Sequence, residues 1–189
     1  SHRPPFETLR PGQEDTMVEL ESQVKHCSTL LLEAPTGFGK TGILLEFVLR
    51  RLREGLFDRV LYLTGKATGQ GEIVRQVKAM VPNGKLRFLQ IRNQREHALD
   101  RSGKDARIPP DEIRRRWVEA DIRPQKLFQK GNFTLENARS LGSQTGVPPY
   151  EITRACLPFA DLWIGDYNYV FQPNSSQLID DLQGYRPER

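Results

Sequence analysis

The chain has 189 residues, with 28 Lys and Arg against 24 Asp and Glu, for a net charge of +4. A hydrophobic share of 37% beside 28% charged residues describes a globular chain with one large domain, or one core carrying an insertion. Two cysteines, Cys27 and Cys156, exclude a disulfide framework and a cysteine metal site, and no apolar run approaches the ~20 residues that span a bilayer.

The chain opens Ser-His-Arg-Pro-Pro, without an initiator Met or a secretory signal, and reads as a trimmed start or a fragment. Residues 13–26 place Met17, Leu20 and Val24 at helical spacing with acids early and Lys25 late, which predicts a helix. Thr29–Glu33 is a short continuous apolar run, predicted as a buried strand. Lys40–Glu54 repeats Ile43, Leu44, Phe47, Val48 and Leu52 at helical spacing, and Gly55 ends it. Arg59–Thr64 predicts a second strand, Gly71–Val81 a helix, and Leu86–Ile91 a third strand. This alternation argues for an α/β fold, a parallel sheet with helices on both faces. Residues 92–157 are polar, rich in Arg and Pro, and without a convincing strand. Helices are predicted there at 110–121, at 134–142 with Thr134 as N-cap, and at 149–156. Residues 160–171 restore a strand-like run, so 1–91 and 158–189 read as one lobe and 92–157 as a mainly helical insertion.

Ala34-Pro-Thr-Gly-Phe-Gly-Lys-Thr41 fits the Walker A pattern, with Ala in place of the first Gly. The backbone N–H groups of a tight loop through Thr36, Gly37, Phe38 and Gly39, with a helix N-terminus behind them, wrap phosphates. Gly37 and Gly39 permit backbone angles and a close approach that a Cβ would block. Lys40 neutralises the β- and γ-phosphates and Thr41 offers its hydroxyl to Mg²⁺, so ATP and Mg²⁺ are the expected cofactors and these two residues the expected catalytic pair.

Three further stretches carry a resemblance. Gln13 in RPGQEDTM (10–17), LYLTGKATGQGEIVRQV (61–77) and PPYEITRACLPFADLWIGDYNYVFQP (148–173) together resemble the XPD/DinG family of superfamily 2 DNA helicases. The resemblance covers nearly the whole chain. It implies a RecA-like lobe of a helicase that moves 5′ to 3′ on single-stranded DNA, in repair or replication, with a second RecA-like domain as partner. It implies that Gln13 reads the adenine edge, an amide offering both donor and acceptor, and that Thr64, Lys66, Thr68 and Gln70 lie near the DNA backbone. The expected compartment is cytoplasmic, or nuclear in a eukaryote, with no membrane.

The chain departs from the family pattern twice. It has no DExH box; Asp166, Asp180 and Asp181 stand in other contexts, so the resemblance implies a chain that stops just before the DEAH strand, binds nucleotide and hydrolyses it poorly. The family's cluster cysteines are also missing: their end positions fall near Ala98 and Pro148, and only Cys156 lies in the insertion, so no iron–sulfur cluster is expected. His97 reads as surface. Between Lys85 and Arg116 ten basic residues face five acids, with Arg92 and Arg95 among the candidates for DNA phosphate, and Trp117 and Phe128 either stack on bases or fill a small core. Arg50, Arg51 and Arg53 read as helix caps. The alternatives to a helicase lobe are another phosphate-loop ATPase or kinase, and a non-catalytic DNA or protein docking module.

Overall fold

The computed structural model describes residues 3–65, 67–82, 85–99, 108–128 and 131–171. The chain divides into two compact units, Ser1–Asp58 with Arg75–Pro82, and Arg59–Val74 with Asn83–Arg189.

The first unit holds α1 (Gln13–Gln23) and α2 (Lys40–Arg53). Their apolar stripes meet in a core of Leu20, Ile43 and Phe47, closed by Phe6, Met17, Phe38 and Phe57. Gly55, at φ +70, stops α2. The arginines there serve the fold: Arg50 pairs with Glu21 at 2.6 Å, and Arg51 lies 5.3 Å over the Phe47 ring and reaches Glu54. The predicted strand Thr29–Glu33 is not formed, and Leu31 is 93% exposed. A continuous apolar run becomes a parallel strand only when neighbours complete its ladder and cover its faces, and no described strand pairs with this one.

The second unit is built on β1 (Val60–Thr64), β2 (Phe88–Gln90), β3 (Asn132–Phe133) and β4 (Leu162–Asp166). They form one sheet in the order β1-β4-β2-β3, every pair parallel. The helices are α3 (Ala67–Met80), α4 (Gln94–His97), α5 (Pro110–Glu119), α6 (Leu135–Thr145), α7 (Pro149–Cys156) and α8 (Asn168–Phe171). The division between the units falls within α3, after Val74. The fold is therefore α/β on a parallel sheet, consistent with a RecA-like domain.

Three boundaries differ from expectation for local reasons. α3 starts at Ala67, ahead of Gly71, because a Cβ on Gly69 would stand only 2.8 Å from Thr64 Oγ1, so glycine lets the helix start close on the strand end. β3 lies inside the stretch read as strandless; two residues are too few to show alternation, yet Phe133 fills the core. β4 ends at Asp166, whose Oδ1 accepts the Asn168 N–H at 2.8 Å and turns the chain into α8. The α6 cap stands as expected: Thr134 and Asn137 bond each other's backbone N–H groups, at 2.9 Å to Asn137 Oδ1 and 3.4 Å to Thr134 Oγ1. One core joins the sheet to the helices between β2 and β4 through Leu89, Trp163, Phe128, Phe133, Ile152 and Cys156.

Candidate functional site

The loop expected to hold phosphate, residues 34–41, lies in the first unit. Gly37 (φ +82) and Gly39 (φ +89) hold the left-handed angles that turn the chain into α2, as their residue type predicts. A Cβ on Gly37 would point into open space, so backbone angle alone selects glycine there. At Gly39 space also decides, because a Cβ would stand 2.8 Å from the Phe6 ring and 2.9 Å from Gln13 Nε2. Lys40 Nζ donates to the carbonyls of Ala34 and Pro35, spanning the loop it follows. Thr36 is exposed, Thr41 sits in the first turn of α2, and Phe38 packs its ring on the helical core.

Gln13 is placed differently from an adenine reader with open polar ends. It is fully buried, its Nε2 donates to Phe38 O at 2.6 Å, and its Oε1 accepts the Arg10 N–H at 2.8 Å. Arg10 in turn donates to the carbonyl of Gly37. The sequence reading missed Phe6 and Arg10, because the contacts that place them against the loop are between residues distant in the chain. These residues fit a nucleotide triphosphate: the loop has no side chain at Gly37 and Gly39, its amides precede a helix of 14 residues, and a cation follows at once.

An iron–sulfur cluster does not fit. Cys156 is fully buried in the apolar core, where burial pushes its thiol up to about 12, far from the thiolate a cluster needs. Cys27 is exposed in the other unit. No three potential ligands among His, Cys, Asp and Glu gather among the described residues.

The residues expected to face DNA belong to the second unit. Thr64 ends β1, and Thr68 is exposed in the first turn of α3. Lys66 lies outside the described residues. Gln70 is turned inward at 2% exposure, with no hydrogen bond to its Oε1. Arg95 is exposed, whereas Arg92 is paired with Glu96. Part of the basic stretch is paired: Arg87 makes a two-point contact with Asp161, and Arg115 and Arg116 share Glu112, whose carboxyl they hold down to about 2; Arg101, Lys104 and Arg107 lie outside the described residues. Trp117 donates its Nε1–H to Ile122 O at 3.1 Å and Phe128 is buried against Phe133, so these rings fill a core rather than offering stacking faces. His97, expected at the surface, is fully buried edge-on to Tyr150 at 5.3 Å between ring centres; an apolar pocket takes an imidazole when one ring nitrogen has a partner, here the Asn93 carbonyl at 3.1 Å.

One unit carries a glycine-turned loop feeding a helix, and the other a parallel sheet with helices, consistent with an α/β RecA-like fold. The DEAD_2 family model matches residues 112–185. The General transcription and DNA repair factor IIH helicase subunit XPD of Arabidopsis thaliana is 24% identical over 209 residues, covering 93% of this chain and 28% of that protein. The subunit of the same name from Schizosaccharomyces pombe is 24% identical over 216 residues, and that from Dictyostelium discoideum 22% over 203, each again covering 93% of this chain. The chain thus spans 28% or less of the length of these relatives. Together the matches make the chain similar to the XPD/DinG-like family of superfamily 2 helicases and support a DNA helicase-related domain. No helix among the described residues is long and apolar enough to cross a membrane.

Proposed function

We propose that the chain is the ATP-binding lobe of a DNA helicase that moves 5′ to 3′ along single-stranded DNA in repair or replication. The observation that carries this is the loop itself: two left-handed glycines deliver Lys40 and Thr41 into the first turn of α2. In this reading the amides of Thr36–Lys40 bind the phosphates, Lys40 exchanges its loop carbonyls for phosphate oxygens, and the Thr41 hydroxyl orients Mg²⁺. The metal neutralises phosphate charge when bound. Gln13 braces Phe38 so that the loop stays open to the nucleotide, and its turn toward adenine would require it to give up a present hydrogen bond. Thr64, Lys66 and Thr68 lie along the DNA backbone, with Arg95 as an outlying phosphate contact. The residues 1–91 and 158–189 act as the lobe, 92–157 as an insertion without a cluster, and a second RecA-like domain completes the ATP site. The compartment is cytoplasmic, or nuclear in a eukaryote.

The test is ATP binding and hydrolysis with and without single-stranded DNA, with Lys40→Ala as control. Expected are nucleotide binding weakened at least ~10-fold by Lys40→Ala, and little turnover. Strong DNA-stimulated turnover by the chain would sink the inactive-lobe reading and return Asp166 to consideration as a metal carboxylate. Phosphate transfer to a small acceptor would move the assignment to a kinase.

A further inference from the structure

At the C-terminal edge of the sheet, β1 and β4 end side by side, with Thr64 in register with Asp166. The chain leaves Thr64 through Gly65 into α3, and leaves Asp166 through Tyr167 into α8. These turns touch: a Cβ on Gly65 would stand 2.4 Å from Cε1 of the Tyr167 ring, so the ring occupies the space that glycine leaves. Tyr167 is nevertheless 47% exposed, and Phe171, whose N–H donates to Tyr167 O at 3.1 Å one turn later, is 75% exposed. Tyr169 between them is largely buried, and burial pushes its hydroxyl up.

Two aromatic residues four positions apart thus stay at the surface beside the turn that carries Thr64 and Thr68. Open parallel sheets bind ligands at this edge, and the N-terminus of the 14-residue α3 opens there, an end that favours anions. Resting on the DNA reading above, we infer that Tyr167 and Phe171 form a stacking face for bases of a single strand whose backbone runs past Thr64 and Thr68. The rings supply sequence-tolerant contact to base faces; the hydroxyls and the helix end supply contact to phosphate. A single strand meets both requirements at once. A duplex keeps its base faces stacked inside.

The experiment compares a fluorescein-labelled oligothymidylate with an abasic strand of equal length, by anisotropy at one salt concentration. The chain is expected to bind the oligothymidylate more tightly than the abasic strand. Tyr167→Ala and Phe171→Ala should each weaken oligothymidylate binding by ~5-fold or more while leaving abasic binding alone; Tyr167→Trp should retain it. Equal affinity of the parent chain for both strands overturns the stacking face and leaves the DNA reading standing. Binding of neither strand overturns both. Equal loss on both strands in the alanine variants makes the rings structural and overturns the inference.

Discussion

The two units are held together by different means. In the first unit, side chains hold backbone: Gln13 bonds Phe38 O, Arg10 bonds Gly37 O, and Lys40 bonds Ala34 and Pro35, over a small core of Leu20, Ile43 and Phe47. In the sheet-bearing unit, apolar packing dominates, and one cluster runs from Leu89 and Trp163 of the sheet to Ile152 and Cys156 of α7. The first arrangement fixes a short loop whose carbonyls and amides must be aimed. The second fixes elements far apart in sequence: α6 meets α7 so closely that a Cβ on Gly142 would stand 2.6 Å from Pro149 Cγ. A site built from aimed backbone should fail by misdirection, and a domain built from packing should fail by cavity.

Ile152→Ala tests the second half of that contrast and carries the largest expected effect. Ile152 is fully buried in the shared core, so the cavity should cost about 2–5 kcal/mol of stability in urea denaturation. Nucleotide affinity, measured at low denaturant, should stay near that of the parent chain; a matching loss of affinity would break the distinction between the units. Gln13→Ala tests the first half with a smaller effect. Leaving the Phe38 carbonyl and the Arg10 N–H without their amide should cost about 1–3 kcal/mol. Here nucleotide affinity should fall as well, since the loop loses its brace. Unchanged affinity in a destabilised Gln13→Ala chain would separate the residue from the site.

The same contrast explains what was legible in the sequence. The geometry of the glycine loop could be read because its signal is contiguous: Gly37 and Gly39 stand just ahead of a helix, and left-handed angles at both glycines follow. Helix periodicity and the Thr134 cap were legible for the same local reason. Thr29–Glu33 failed because hydrophobicity reports a wish for burial but says nothing of a pairing strand. His97 failed because a lone histidine gives no sign of the Tyr150 ring that covers it, more than fifty positions on. Trp117 and Phe128 were ambiguous in sequence; only the position of Ile122 O and of the Phe133 ring settles them as core. Phe6 and Arg10 left no signal, since nothing local ties a proline-rich start to the glycines of a distant loop.

The smallest expected effect concerns pH, and it separates the units by titration. Burial holds the His97 imidazole below its ordinary range; Asn93 and the carboxylate of Glu96 oppose this in part, and the Arg92 charge adds to it. The groups around it are Arg92, Glu96, Asn93 and, from α7, the Tyr150 ring, whose hydroxyl burial pushes upward and which therefore stays neutral. Above about pH 6.5 His97 is neutral folded and unfolded, and contributes no slope. Below it the unfolded chain takes up a proton that the folded chain refuses, so stability of the sheet-bearing unit should decline as pH falls from about 6.5 toward 5. Glu96 and Glu112 are both held below the usual range by arginines, so their contribution is lost only at still lower pH. His97→Phe keeps a ring against Tyr150 and removes the titration. Thermal unfolding at about pH 7 and about pH 5 should therefore differ in the parent chain and converge in His97→Phe, and an equal drop in both would place the acid sensitivity elsewhere.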